Sequence, residues 1–273
     1  MPPATRAFPL LCALFFAPAP GAVWAQSAPY KPVMGQQGKD VVWIPSPTGM
    51  VEMMLDMAQV TPQDFVVDLG SGDGRNVIAA AKRGAPALGV EFNPDLVELS
   101  KSNAAAEGVG GKASFVQGDM FAADISRATA LILFLIPQNL EKLAGKFIGL
   151  KPGTRIVSNT YEIGGGWEPD DTQRLPLCAS WCGAHLYIVP AKVAGTWRLP
   201  QGDLTLQQEF QYIWGSHDYN GIRLNVENGR LRGEEIVFVI NGVEYSGRVN
   251  GDTMTGVAKG RITENWAATR VRE

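Results

Sequence analysis

The sequence predicts an α/β fold: a doubly wound, mostly parallel, Rossmann-like sheet followed by a small antiparallel β meander or barrel-like domain. Three observations carry this expectation. Short apolar β-branched runs alternate with helix-forming segments from about residue 40 to 190, the rhythm of βαβ units. The first such run passes into an alternating-glycine turn, Asp68-Leu69-Gly70-Ser71-Gly72-Asp73-Gly74, the punctuation of a strand that delivers its end to a ligand. From about Val193 the texture changes to short β-rich runs separated by Asn-Gly pairs, which accept the positive φ of tight hairpin turns.

The elements follow in order. Val41-Val42-Trp43-Ile44-Pro45-Ser46-Pro47 leads into a helix whose Met50, Met53, Met54 and Met57 form an apolar stripe expected in the core. Val66 and Val67 open the first strand, and a helix begins near Gly74 with Val77, Ile78, Ala80 and Ala81. Ala87-Leu88-Gly89-Val90 is a second strand ending at Glu91, and Ala113 to Gln117 a third ending at Gly118-Asp119. Ala130 to Ile136 is wholly apolar and ends at Pro137, as expected of a central strand buried on both faces. A helix over Asn139 to Ile148, a Lys151-Pro152-Gly153 turn and a strand Arg155 to Asn159 come next, and His185 to Val189 completes the sheet. Asn-Gly then recurs at 220, 228, 241 and 250, each expected to turn a hairpin. Gly195-Thr196-Trp197 and Arg270 resemble the Gly-x-Trp and packing Arg of lipocalin-type barrels, although eight strands fit tightly into this length.

The ends and the composition bound the function. Arg6, the apolar run Ala7 to Phe16 and Val23-Trp24-Ala25 before Gln26 read as a cleavable export signal. The expected domains are therefore a signal peptide over 1–25, a cofactor-binding domain over 26–192 and a β domain over 193–273, in a periplasmic or secreted protein; the alternative is an anchor formed by the uncleaved segment. The apolar run is short for a membrane span, and Pro18 and Pro20 interrupt it. Cys12 lacks the small preceding residue of a lipoprotein signal. With a net charge of −3 and 19% charged residues, the chain has no basic field to neutralise phosphates, which disfavours nucleic acid. Cys178 and Cys182 either close a local disulfide in an oxidising compartment or stand as two buried thiols. Two cysteines and His185 fall short of a zinc set, so no metal is expected. His185 and His217 are expected to be structural or surface residues.

The candidate site lies where the strands end. A dinucleotide fingerprint would place its third glycine where Arg75 stands, which argues against a nicotinamide oxidoreductase. Asp68, Glu91 and Asp119 each close one of three consecutive strands at the same sheet edge, and ligands bind outside the carboxyl ends of parallel strands. A carboxylate in the position of Glu91 can hydrogen-bond both hydroxyls of a ribose. Gly70, Ser71, Gly72 and Gly74, with Phe92, Asn93 and Met120 beside the acids, complete the cofactor-binding set.

The acid-x-Gly-x-Gly-x-Gly form resembles the first motif of class I methyltransferases that use S-adenosyl-L-methionine (SAM). The resemblance implies that Asp68 lies near the amino-acid part of the cofactor and Asp119 near the adenine amino group. Trp43-Ile44-Pro45-Ser46-Pro47, the 68–75 turn, Gly89 to Pro94, Leu150 to Ser158 and Trp167-Glu168-Pro169 together resemble bacterial relatives of the ATP synthase c-subunit lysine methyltransferase family, over about residues 40 to 190. That implies N-methylation of a protein lysine; the alternatives are a small-molecule acceptor or a catalytically silent SAM- or nucleotide-binding module working through its β domain. Phe134-Leu135-Ile136-Pro137 stands where an Asn-Pro-Pro-Tyr sequence would mark adenine or glutamine methylation. Phe134, Pro137, Trp43 and Tyr161 are the candidates for an apolar channel that desolvates a lysine and keeps it neutral. Trp167, Trp181, Trp214 and Trp266 either floor a groove or belong to the core.

Overall fold

The computed structural model describes Met1 and residues 30–272. The expected signal segment lies outside the described residues. The chain divides into a unit ending at Lys31 and a second unit from Pro32 onward, and the elements below belong to the second. Among the described residues, no helix is long and apolar enough to cross a membrane.

The first half builds α1 (Thr48–Met57), β1 (Val66–Leu69), α2 (Arg75–Lys82), β2 (Ala87–Glu91), α3 (Pro94–Ala106), β3 (Ala113–Gln117), β4 (Ala130–Leu133), α4 (Pro137–Phe147) and β5 (Arg155–Asn159), with β6 (Asp171–Arg174) and β7 (Gly183–Ile188) at the far edge. The seven strands run in the order β3-β2-β1-β4-β5-β7-β6. The pairs from β3 to β5 are parallel, while β7 is antiparallel to β5 and β6 to β7. β1 and β4 are buried along their whole length, as expected of strands covered on both faces.

Three sequence expectations shift. The apolar run from Ala130 forms a strand only to Leu133, in mid-sheet, and α4 starts at Pro137 rather than Asn139, with proline in the first turn, where its missing N–H costs nothing. β7 does not complete the sheet: β6, fully exposed and polar, lies outside it. Met50, Met54 and Met57 are buried and Met53 packs against the same cluster, so the methionine stripe is core as expected. Of the two alternatives for Cys178 and Cys182, the structure takes the disulfide.

From Gly195, eight antiparallel strands close a barrel: β8 (Gly195–Leu199), β9 (Gly202–Glu209), β10 (Tyr212–Tyr219), β11 (Ile222–Arg232), β12 (Glu235–Ile240), β13 (Val243–Asn250), β14 (Thr253–Lys259) and β15 (Thr263–Arg270). Three Asn-Gly pairs turn hairpins, but Asn228-Gly229 does not. It lies inside β11 as a bulge against Ile213–Gly215, where a Cβ on Gly229 would meet the Ile213 carbonyl oxygen at 2.3 Å. Two-residue turns are what let eight strands fit. Trp197 is fully buried at one end of the barrel, and the Arg270 guanidinium lies 4.2 Å from its ring centroid while donating to the carbonyls of Lys192 and Ala194.

That end docks on the sheet domain. The Phe210 ring stacks on Trp167 at 5.7 Å, Gln211 donates to the Glu168 carbonyl, Ala191 N–H donates to Gly233, and Arg230 pairs with the buried Asp170 at 3.5 Å. The starts of the central strands β1, β4 and β5 are tied together by Asp64. It accepts from Thr61 N–H at 2.8 Å, from the Thr129 hydroxyl at 2.7 Å and from Arg155 at the start of β5. Burial pushes the Asp64 carboxyl up, yet these donors outweigh it and hold it below its ordinary 3.8.

Asp64→Asn is therefore expected to lower the unfolding free energy by about 1–3 kcal/mol at neutral pH. Because the folded carboxyl is the more acidic, its contribution is present above 3.8 and is lost as pH falls through the folded value. Urea titrations of both proteins should show a gap near pH 7 that closes in acid; a gap independent of pH would contradict this role.

Candidate active site

The ends of β1, β2 and β3 and the loops that leave them form one crevice. It is lined by Asp68, Gly70, Ser71, Gly72, Glu91, Phe92, Asn93, Asp119 and Met120, and by Phe134 beyond β4. Nine of the ten cofactor candidates read from the strand ends thus face the same space. Gly74 does not. It starts α2 at φ +83°, and a Cβ there would meet Phe115 at 2.8 Å and Ser100 at 2.9 Å. Its freedom serves helix packing rather than the approach of a ligand. At Gly72 (φ +55°), an added Cβ would meet Nε1 of Trp43 at 2.7 Å. The neighbour there is an indole from the segment before α1.

The three acids differ in state. Asp68 is 2% exposed and accepts from Asn76 Nδ2 at 3.1 Å. Burial pushes its carboxyl well above the ordinary range; the Asn76 hydrogen bond opposes this, and the charges of Glu91 and Asp73 add to it. A cation beside it would favour the ionised form. Glu91 bridges two loops: one oxygen accepts from Gly72 N–H and the other from Asn93 N–H, both at 2.9 Å. Lone pairs on both oxygens remain for the crevice. Asp119 accepts from Phe121 N–H at 2.8 Å through one oxygen and from Lys39 Nζ at 2.5 Å through the other. The Lys39 hydrogen bond and charge, with the backbone N–H groups, hold Asp119 below its ordinary value and raise Lys39.

Lys39 is not among the residues singled out from sequence, and no local motif marks it. It belongs to a strap, residues 36–46, that crosses the crevice mouth. Its ammonium also lies 4.9 Å from the Phe92 ring centroid. The strap is fastened at several points. Asn139 donates to the Asp40 carbonyl at 3.3 Å, Arg75 to the Ser46 carbonyl at 2.5 Å, and Asn159 Nδ2 to the Ser46 hydroxyl at 3.2 Å. Arg75, which stands where a dinucleotide turn would have glycine, thus anchors the strap and pairs with Asp73. With the strap in place the crevice encloses about 80 Å³, well below the roughly 300 Å³ of the smaller ligand pockets. The strap thus narrows the space left for a cofactor-sized ligand.

Of the four channel candidates, Trp43 and Phe134 line the crevice. Tyr161 instead packs against the cluster containing Trp167 and Tyr187, and Pro137 begins α4; neither is among the lining residues. The Phe134 ring faces Trp181 at 6.1 Å, and Trp181 sits within the loop closed by Cys178 and Cys182. Of the other tryptophans weighed for a groove, Trp167 is core and Trp214 is exposed. His185 is held structurally, between the Thr172 hydroxyl and the Thr160 carbonyl. Among the described residues, no cluster of His, Cys, Asp and Glu could hold a metal ion.

The ANTKMT methyltransferase domain matches residues 68–171. A protein-lysine N-methyltransferase of Saccharolobus islandicus is 43% identical over 152 residues, 55% of this chain and 94% of that protein. The ATP synthase c-subunit lysine N-methyltransferase of Rattus norvegicus is 37% identical over 140 residues, 51% of this chain; the chain spans 64% of that relative's length. A crystal structure of an RNA methyltransferase from Salinibacter ruber, in complex with S-adenosyl-L-homocysteine, is similar at a TM-score of 0.52 and 39% identity, covering 55% of this chain and 96% of that one. None of these spans the barrel together with the sheet domain.

The cofactor is SAM, and the residues fit it. Asp68, buried with one donor and raised by desolvation, suits the cationic amino-acid end; Glu91 keeps acceptors for the ribose hydroxyls; Asp119 and the exposed Phe92 face offer an acceptor and a flat surface for adenine. Lys39 already occupies those last two groups. Lys39→Ala is expected to tighten SAM binding a few-fold, the scale of one exposed ion pair, measured by calorimetry on the full chain. Weaker binding would show instead that Lys39 holds the ligand.

Proposed function

We infer the acceptor from a settled premise: this chain belongs to the family of SAM-dependent methyltransferases that the ANTKMT methyltransferase domain describes. We propose that it N-methylates lysine side chains of protein. The observation that carries this reading is the 43% identity to a protein-lysine N-methyltransferase along 94% of that relative's length.

The local chemistry supports it. When bound, SAM supplies a sulfonium methyl that an amine nitrogen takes in line, the S–C bond breaking as the N–C bond forms, with the amine proton passing to solvent. The chain's own part is to position the amine and exclude water, which accounts for most of the acceleration in such transfers. Trp43 and Phe134, with Trp181 behind Phe134, give the crevice an apolar wall where a lysine is desolvated and its neutral, nucleophilic form favoured. This wall replaces the four-residue channel expected from sequence: Trp181 takes the place of Pro137 and Tyr161. The net charge of −3 gives little attraction for a phosphate backbone and favours protein over nucleic acid as acceptor.

We also propose that the protein acts outside the cytoplasm, from the export-type segment before residue 26 and the Cys178–Cys182 disulfide beside the acceptor wall. Fractionation of cells carrying the full chain is expected to place it in the envelope or the medium; a cytoplasmic location would overturn this.

The acceptor is tested by incubating the full chain with methyl-labelled SAM and, in parallel, envelope protein, total RNA and a small-molecule extract. Label on protein, mapped to lysines carrying one or more methyl groups, is expected. Label confined to RNA or small molecules would overturn the reading. Phe134→Ala is expected to lower kcat/KM for the protein acceptor by about 10- to 100-fold, the cost of lost positioning, with SAM affinity unchanged. A wild-type rate would remove Phe134 from the acceptor wall.

A further inference from the structure

The barrel interior is divided. Toward the sheet domain it is packed solid by Trp197, Leu231, Ile236 and Met254, each fully buried. At the other end, where the β8–β9, β10–β11, β12–β13 and β14–β15 turns lie, it opens into a cavity of about 380 Å³, within the range of small-molecule sites. Eight strands are the number at which a barrel is either filled by its own side chains or has room for one small ligand, and this barrel is filled at one end and hollow at the other.

The cavity wall combines an aromatic and aliphatic side with polar groups near the turns, Gln201, Asn241 and Asn265 among them. Leu224, Ile240 and Ala258 line it with Tyr245 and Trp266, whose rings meet edge to face at 5.7 Å. The Trp266 N–H is spent on the Ser246 carbonyl, so that ring offers the space only carbon. One polar group differs from the others in being buried without a partner. His217 on β10 lines the cavity and is 1% exposed, yet neither Nδ1 nor Nε2 has a hydrogen-bond partner. A buried imidazole with two unmet polar atoms is unfavourable unless something supplies the missing bond. Desolvation lowers its pKa, with the nearby Asp218 and Asp203 opposing. The ring is thereby kept neutral, one nitrogen donating and the other accepting. The charged side chains lining the cavity, Arg261 and Glu264, are exposed and of opposite sign, so no net charge selects an ion.

The geometry points to the open half of the barrel as a binding site for a small, neutral molecule with an aromatic or aliphatic body and a hydroxyl or similar polar head that bonds to His217. The mouth lies at the barrel end away from the docked sheet domain, so ligand entry needs no movement at the methyl-transfer crevice.

The full chain has two histidines, so their ring nitrogens can be followed separately by NMR. Titration with 2-naphthol, without SAM, is expected to saturate and to shift the His217 nitrogens while leaving His185 unmoved. Naphthalene, which lacks the hydroxyl, is expected to bind about tenfold more weakly, the scale of one buried hydrogen bond. His217→Leu should erase that preference, and Ala258→Phe, which fills the cavity, should abolish binding of both probes. Absence of saturable 2-naphthol binding, a shift at His185 in place of His217, or a preference that survives His217→Leu would each overturn the site. The wild-type histidine shifts decide the matter even if a variant fails to fold.

Discussion

The crevice depends on one carboxylate that serves two of its loops at once. Parallel strands bring their ends to a common edge, and backbone bonds from Gly70 and Ser71 N–H to the Val90 carbonyl carry the pairing just past β1, but the turn beyond and the start of α3 need a further link. Glu91 supplies that link by accepting from Gly72 N–H after β1 and from Asn93 N–H before α3, at 2.9 Å each. A charged acceptor serving two backbone donors is among the stronger arrangements available to a loop. It also leaves oxygen lone pairs facing the crevice, so the group that builds the site is the group that can hold a ribose. Asp68 and Asp119 then lie on either side of it, one buried and raised, the other exposed and paired with Lys39.

The strap narrows this crevice. Lys39 and Trp43 reach in from residues far away in sequence, and Arg75, Asn139 and Asn159 hold the segment by contacts with its backbone and the Ser46 hydroxyl. Displacement of this short, polar-fastened segment would widen the crevice while the core stays put. The opening cost of such a segment is set by these few hydrogen bonds, which are part-buried or buried.

What the sequence made legible was local. β1 to β4 and the acids at their ends were readable because a run of β-branched residues ending in an acid and a glycine turn carries its own signal. The barrel was readable from Asn-Gly spacing and from Trp197 and Arg270. The rest was set by partners distant in the chain. β6 is exposed at every residue and has no apolar alternation to announce it. Asn228-Gly229 has the composition of a turn, but pairing with β10 makes it a bulge. Gly72 and Gly74 read as bare backbone for a ligand, whereas Trp43 and Phe115 are what crowd them. Lys39 meets Asp119 across 80 residues, a contact no local window contains. Tyr161 and Pro137 sit near the same sheet edge but turn to the core and to a helix start, while Trp181 is brought to Phe134 by a disulfide-closed loop.

The molecule therefore joins a methyl-transfer domain to a barrel that docks by its packed end and leaves its other end open. The most direct measurement of the central claim is a crystal structure of the full chain with S-adenosyl-L-homocysteine. The account expects the ribose on Glu91, the amino-acid end beside Asp68 and the adenine at Asp119, with Lys39 withdrawn and the strap shifted. A ligand bound away from Glu91, or seated there with the Lys39–Asp119 pair and the strap unmoved, would contradict it.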